Sequence, residues 1–215
     1  FAMYTSRTPY PGPRTADKDR RYIEPVLRYY LDLERQAESG ASERAHLVHE
    51  LRERGRWPAK NLRAFAANGY QTQPDDRELL TRHEIHACCP DIIVTNHSML
   101  EYMLLRPIER SIFAQTRDWL AADERNVLTL VLDEAHVYRG ASGAEVGLLM
   151  RRLAARLEVP RDRLRCILTS GSIGNHENEE AIAAVHEFAS GLVGRPGAGQ
   201  KSFRVITGVR EPCPS

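Results

Sequence analysis

The chain lacks the long apolar stretches and the cysteine pairs that mark membrane and secreted proteins. No run of residues is apolar for long enough to span a bilayer, and the first residues carry no signal-peptide pattern. Cys88 and Cys89 are adjacent while Cys166 and Cys213 are isolated, so neither a C-x-x-C site nor a disulfide framework is evident. We therefore expect a cytoplasmic protein with no membrane partner.

An excess of charge of either sign is also absent. The 215 residues include 30 Lys and Arg against 29 Asp and Glu, which gives a formal net charge of +1. This balance does not exclude nucleic-acid binding, because binding requires only a local basic face. The length is sufficient for one domain with a substantial core.

A third absence is that of a phosphate-binding loop. A nucleotide motor needs a Gly-rich loop whose backbone amides and lysine surround the phosphates, with the spacing G-x-x-x-x-G-K-[ST]. The segment from Gly194 to Ser202 misses this spacing by one residue and leads into strand-like residues instead of a helix. We interpret it as a surface turn.

The chain does contain short apolar runs that alternate with amphipathic segments, which is typical of an α/β fold with a parallel sheet. The pattern predicts strands near residues 91–95, 127–132, 164–169 and 202–207, and helices near residues 97–105, 108–121, 143–158 and 177–193. The run from Val127 to Leu132 has no polar residue except Thr129. It therefore predicts a strand buried on both faces of the sheet.

The N-terminal third has a different composition. The turn-rich residues Thr8 to Arg14 predict a connector, assigned to residues 1–15. Residues 16–73 are interpreted as a helical insertion packed beside the sheet, and residues 74–215 as the main α/β part.

Within the insertion, apolar side chains at helical spacing predict helices at residues 16–39 and 42–54. A loop pinned by Trp57, Phe65 and Tyr70 is expected to follow at residues 55–73. The acids of Asp75-Asp-Arg-Glu78 predict the start of a helix that continues to about His86.

Two adjacent acids, Asp133 and Glu134, follow the apolar run directly. Parallel sheets place their ligands at the carboxyl ends of the strands, so we expect these carboxylates at a binding edge. Nucleotide hydrolysis makes use of such a pair, because one carboxylate can hold a Mg²⁺ ion while the other orients the attacking water.

Three segments carry a resemblance to a known family. The sequence Asp133-Glu-Ala-His136 is motif II, or Walker B, of superfamily 2 DEAH-box helicases, and Pro90 to Leu100 resembles their motif Ib. Ser170-Gly-Ser172 stands where the family has the Ser-Ala-Thr of motif III. With the following His136-Val-Tyr-Arg-Gly140, the chain resembles the large bacterial MrfA- and YprA-like helicases, including phage-defence helicases of the DISARM and Druantia kind.

The resemblance implies a partial RecA-like parallel sheet flanked by helices, from the first motor lobe, with ATP and Mg²⁺ as cofactors. Asp133 would hold Mg²⁺ through water, and Glu134 would position the hydrolytic water. His136 would couple the nucleotide state to Ser170 and Ser172, although the glycine and second serine of this chain depart from the family pattern. A purely structural His136 is the alternative.

The resemblance also implies partners. Thr95, Asn96 and Arg139 would contact nucleic acid, with single-stranded DNA expected. The alternatives are that Thr95 and Asn96 merely cap the next helix and that Arg139 braces its loop. The remaining helicase lobes would come from the same parent chain, and further partners from a defence system. Because motifs I and Ia and the second lobe are missing, we expect a fragment with negligible ATPase activity of its own.

Other functions find less support in the sequence. His83-Glu-Ile-His86 lacks a clear third zinc ligand, and Gly140-Ala-Ser-Gly-Ala144 lacks the final glycine of a serine-hydrolase elbow. The main alternative is a non-catalytic DNA-binding or protein-interaction module derived from a helicase lobe. The intact Asp133-Glu134 pair argues against that alternative, whereas the altered motif III leaves it open.

Overall fold

The computed structural model describes residues 1–40, 42–160, 163–171, 179–193 and 203–206. The chain divides into two compact units, Phe1–Thr116 and Arg117–Ser215. Each unit contains helices and a two-stranded parallel sheet, so the fold is α/β as predicted. None of the helices in the described ranges is long and apolar enough to cross a membrane.

The first unit begins with β1 (Ala2–Met3), which pairs in parallel with β2 (Ile93–Val94) in the register Ala2↔Ile93. Its helices are α1 (Ala16–Lys18), continued by a π-helical turn (Asp19–Ile23) into α2 (Glu24–Glu38), then α3 (Ser42–Glu53), α4 (Leu62–Ala67), α5 (Arg82–Ala87) and α6 (His97–Leu105). A 3₁₀ turn at Pro107–Glu109 leads into α7 (Arg110–Ala122), which extends into the second unit.

The helix predicted at residues 16–39 is present, and its apolar side chains lie in the core of the first unit. Ile23 and Leu27 are buried with Tyr10, Leu62 and Phe65, and Tyr30 and Leu31 pack against this cluster. The predicted loop at residues 55–73 was wrong in part, because α4 lies within it and contributes two of the buried side chains.

The predicted helix start at Asp75 was also wrong, since α5 begins at Arg82. The capping box is formed by Thr81 and Glu84, whose Oε2 accepts a hydrogen bond from Thr81 N at 3.0 Å. Asp76 and Glu78 bind elsewhere: Asp76 contacts Lys60, and Glu78 accepts a hydrogen bond from Ala59 N at 2.6 Å.

The second unit contains β3 (Leu128–Leu132), a 3₁₀ turn (Ala135–Val137), α8 (Gly140–Leu157), β4 (Leu164–Leu168) and α9 (Glu179–Val193). These bounds agree with the predicted helices near 97–105, 108–121, 143–158 and 177–193, as far as the described residues reach. The strand predicted at 202–207 was wrong for residues 203–206, which have no regular structure.

Strands β3 and β4 pair in parallel from Leu128↔Leu164 to Leu132↔Leu168. Their burial alternates, and Val131 and Ile167 remain 60% and 45% exposed. The prediction of a strand buried on both faces was therefore wrong. Only alternate side chains are shielded by the described residues, because each face of a strand presents every second side chain.

A buried hydrogen-bond cluster connects Tyr4, the residue after β1, to α5 and to the 3₁₀ turn at Pro107–Glu109. The Tyr4 hydroxyl donates to Glu109 Oε1 at 3.0 Å and lies 2.9 Å from His86 Nε2. Because the single hydroxyl proton is used on Glu109, His86 Nε2–H is the donor to Tyr4. Burial, together with Arg82 and Arg106, lowers the pKa of His86 from 6.5 to about 4.

We expect this histidine to make the chain less stable in acid. Its pKa is lower in the folded than in the unfolded chain, so between these two values the unfolded chain binds the extra proton. The contribution of neutral His86 to the free energy of unfolding is therefore fully present above pH 6.5 and is lost as the pH falls towards 4. Urea unfolding at pH 7 and pH 5 should show a smaller loss for His86→Gln than for wild type. The exposed His46 supplies the control, since His46→Gln should leave the loss unchanged. Equal losses for all three proteins would contradict the assignment.

Candidate functional site

The candidate site lies where β3 and β4 end. The strand pairing continues past Leu132↔Leu168, because Thr169 N donates to Leu132 O at 3.0 Å and Ala135 N donates to Thr169 O at 2.8 Å. The loops that follow the two strands are therefore adjacent. In parallel sheets this is the edge at which ligands bind.

Asp133 presents an exposed carboxylate at this edge. Its Oδ1 accepts hydrogen bonds from the Thr169 hydroxyl and from Glu134 N, the latter at 3.0 Å. These two donors, the Thr169 hydroxyl first, hold the pKa of Asp133 below its ordinary value. The side chain is therefore an anionic oxygen donor at neutral pH, which is the ligand type that Mg²⁺ prefers.

Glu134 has an unusual backbone conformation. Its φ of 49° and ψ of 44° lie in the left-handed region, which residues other than glycine rarely adopt. Its side chain is 61% exposed, and Oε2 lies 3.2 Å from His136 Nδ1. Backbone conformations of this kind occur preferentially at functional sites, where surrounding contacts maintain them.

His136 contacts both acid and hydroxyl groups. Its Nδ1 lies 3.0 Å from Ser170 Oγ as well as 3.2 Å from Glu134 Oε2. An N–H at Nδ1 can serve both contacts, because a carboxylate oxygen and a hydroxyl oxygen both accept hydrogen bonds. The structure thus brings together Glu134, His136 and Ser170, while Ser172 lies outside the described residues.

Thr95 and Asn96 follow β2 in the first unit, where both side chains are engaged. The Thr95 hydroxyl donates to Tyr4 O at 2.6 Å, and Asn96 Oδ1 accepts from Met99 N at 2.8 Å as the N-cap of α6. The capping role left open by the sequence is therefore present. The Asn96 side-chain amide nitrogen and the first backbone N–H groups of α6 are the donors that could meet a phosphate group.

Arg139 is exposed and occupies the N-cap position of α8, immediately before Gly140. No side chain in the described ranges forms an ion pair with it.

Thr169 is the residue that sequence reasoning missed. It precedes the motif III resemblance by one position and was counted only as the end of a strand. Its hydroxyl nevertheless contacts the carboxylate of Asp133 directly. The available signal was a hydroxyl residue immediately after an apolar strand, at the edge already assigned to the two acids.

No group of three or more His, Cys, Asp or Glu side chains that could hold a metal ion is found among the described residues. A magnesium ion that accompanies a nucleotide does not require such a cluster. It is commonly held by one or two carboxylates together with phosphate oxygens and water. The exposed carboxylate of Asp133 fits that role.

Known proteins related to the chain are longer than it is. No protein-family model and no solved structure matches it. Over 240 aligned positions, which cover 100% of the chain, it is 48% identical to Druantia protein DruE of Escherichia coli, and it covers 12% of that protein. Over 100 residues, 46% of the chain, it is 30% identical to an uncharacterized ATP-dependent helicase of Methanocaldococcus jannaschii, of which it covers 13%.

The chain thus spans about an eighth of the length of each of these relatives. It is similar over its whole length to a Druantia protein and over nearly half its length to an ATP-dependent helicase.

Proposed function

We propose that the chain forms part of the first RecA-like motor lobe of an ATP-dependent helicase or translocase that moves on single-stranded DNA in phage defence. The observation that carries the proposal is the contact set at the ends of β3 and β4. There Asp133 meets Thr169, and His136 lies between Glu134 and Ser170. The similarity to a Druantia protein and to an ATP-dependent helicase supports it.

The two acids have separate roles in the proposed reaction. Asp133 would serve a Mg²⁺ ion, which would supply positive charge against the negative charge that develops during hydrolysis. Asp133, ionised and oriented by two hydrogen bonds, would hold the ion through water. Glu134 would accept a hydrogen bond from the attacking water, for which its exposed carboxylate is accessible.

His136 and Ser170 would report the nucleotide state to the rest of the motor. Both Glu134 and Ser170 lie within hydrogen-bonding distance of one imidazole nitrogen, so a movement of either changes the bond that the other makes. Ser172 would contribute a second hydroxyl. Such a shared donor gives coupling a physical basis, because the histidine can exchange partners without leaving its place.

DNA would be held mainly through its phosphates. The N-terminus of α6, capped by Asn96, carries backbone N–H groups and the positive end of the helix dipole, and Arg139 supplies an exposed positive charge. Such contacts do not depend on the base sequence. The phosphate-binding loop of the first lobe, and a second lobe with its arginine finger, would come from elsewhere in a longer protein. Defence-system proteins would be its partners in the cytoplasm.

The test is ATP hydrolysis by the full-length protein that carries this chain. We expect single-stranded DNA to raise the rate severalfold, and RNA of the same length to have a smaller effect. Equal stimulation by RNA would contradict the assignment to DNA. Hydrolysis at the background rate, with DNA binding retained, would instead favour the non-catalytic binding module.

A further inference from the structure

Thr169 makes three contacts across the end of the sheet. Its N–H donates to Leu132 O at 3.0 Å, its carbonyl accepts from Ala135 N at 2.8 Å, and its hydroxyl donates to Asp133 Oδ1. The two backbone bonds fix the position of the turn. The hydroxyl adds a contact to the carboxylate of Asp133.

This contact leaves the two oxygens of Asp133 in different states. Oδ1 accepts from both Thr169 Oγ1 and Glu134 N, whereas no residue in the described ranges donates to Oδ2. An exposed aspartate without such bonds would populate several rotamers. With Oδ1 held by two donors from different parts of the turn, one orientation of the carboxylate is selected and Oδ2 stays open.

We propose that Thr169 is a positioning residue for the magnesium ligand, holding Asp133 through Oδ1 so that Oδ2 is available to the ion or to its bound water. This inference rests on the proposed function. Partners that orient a metal ligand affect metal affinity strongly, and their loss typically lowers it by about 10–100-fold. Thr169 touches neither nucleotide nor ion in this account, so its effect would be exerted through Asp133 alone.

The substitution Thr169→Val isolates the hydroxyl. Valine is close to threonine in shape and keeps the β-branched side chain that suits the end of a strand. The backbone bonds to Leu132 and Ala135 do not involve the side chain and should persist. Thr169→Ser restores a hydroxyl, and Thr169→Ala removes it without adding an apolar group.

The experiment measures Mn²⁺ binding to the full-length protein by electron paramagnetic resonance, in the presence of a non-hydrolysable ATP analogue. Thr169→Val and Thr169→Ala should weaken Mn²⁺ binding by about 10-fold or more, whereas Thr169→Ser should bind it nearly as wild type does. Steady-state hydrolysis should show the same pattern, with a raised Mg²⁺ requirement and a rate that recovers at saturating Mg²⁺.

The matched control is Thr129→Val, the same change at an exposed position of β3. It should leave Mn²⁺ affinity unchanged. Wild-type affinity in both Thr169→Val and Thr169→Ala would overturn the inference while leaving the proposed function intact. If the wild-type protein binds no Mn²⁺ with the nucleotide analogue, both the proposed function and this inference are overturned.

Discussion

Replacing Lys60 with methionine is expected to lower the free energy of unfolding of the chain by about 3–5 kcal/mol. The Lys60 side chain has no exposed surface, and its Nζ contacts Asp76 and lies 2.9 Å from Glu84 Oε1. It also lies 4.5 Å from the centre of the Phe65 ring. Methionine fills a similar volume but leaves two buried carboxylates without their counter-charge, which is the costly part of the change.

Urea unfolding followed by circular dichroism measures this loss. The double variant Lys60→Met/Asp76→Asn should recover part of it, because it removes one of the uncompensated charges. Lys18→Met provides the control: Lys18 is partly exposed, and its Nζ donates a hydrogen bond to Pro13 O at 2.8 Å. Its replacement should cost less than about 1.5 kcal/mol. An equal loss in the free energy of unfolding for Lys18→Met and Lys60→Met would contradict the role assigned to the buried charges.

The sequence was sufficient to predict the carboxyl-terminal edge of β3 and β4. An apolar run followed at once by acids is typical of a buried strand whose carboxyl end places the acids at the sheet edge. The second apolar run, before Thr169, has the same form, and the two strands pair in parallel with Leu132 opposite Leu168. The contact between His136 and Ser170 follows from that register.

Burial was not predictable from the same residues. An apolar run shows that a strand can be buried on both faces, whereas actual burial depends on which elements pack against it. Val131 and Ile167 are opposite each other in the register and are both exposed among the described residues. Nor does an alternation of strands and helices reveal that the described strands form two separate sheets.

Helix α5 shows how two similar patterns compete. Both Asp75-Asp-Arg-Glu78 and Thr81-Arg-His-Glu84 place an acid three residues after a capping residue. Only the second forms a cap: in the first, Glu78 accepts from Ala59 N instead, and the intervening Asp76 contacts Lys60. These partners lie 16 and 19 residues away, so local sequence does not reveal them.

Replacing Glu134 with glutamine is expected to lower the rate of ATP hydrolysis by about 10²–10⁴-fold, the usual contribution of a general base. Glutamine keeps the size of the side chain and a carbonyl oxygen that can contact His136, but it is neutral and does not take a proton from water. The left-handed backbone at this position is equally unfavourable for both residues, so the folded state should be affected little. ATP and DNA binding should therefore persist.

Glu145→Gln is the matched control, since Glu145 is an exposed acid near the start of α8 in the same unit. The same chemical change there should leave hydrolysis at the wild-type rate. A comparable loss in both variants would indicate a general effect of removing negative charge.

The most direct measurement compares phosphate release by the full-length wild-type, Glu134→Gln and Glu145→Gln proteins, each with and without single-stranded DNA. We predict DNA-stimulated hydrolysis in the wild type and in Glu145→Gln, and its loss in Glu134→Gln with ATP binding retained. Undiminished hydrolysis by Glu134→Gln would contradict the assignment of the catalytic site to the ends of β3 and β4.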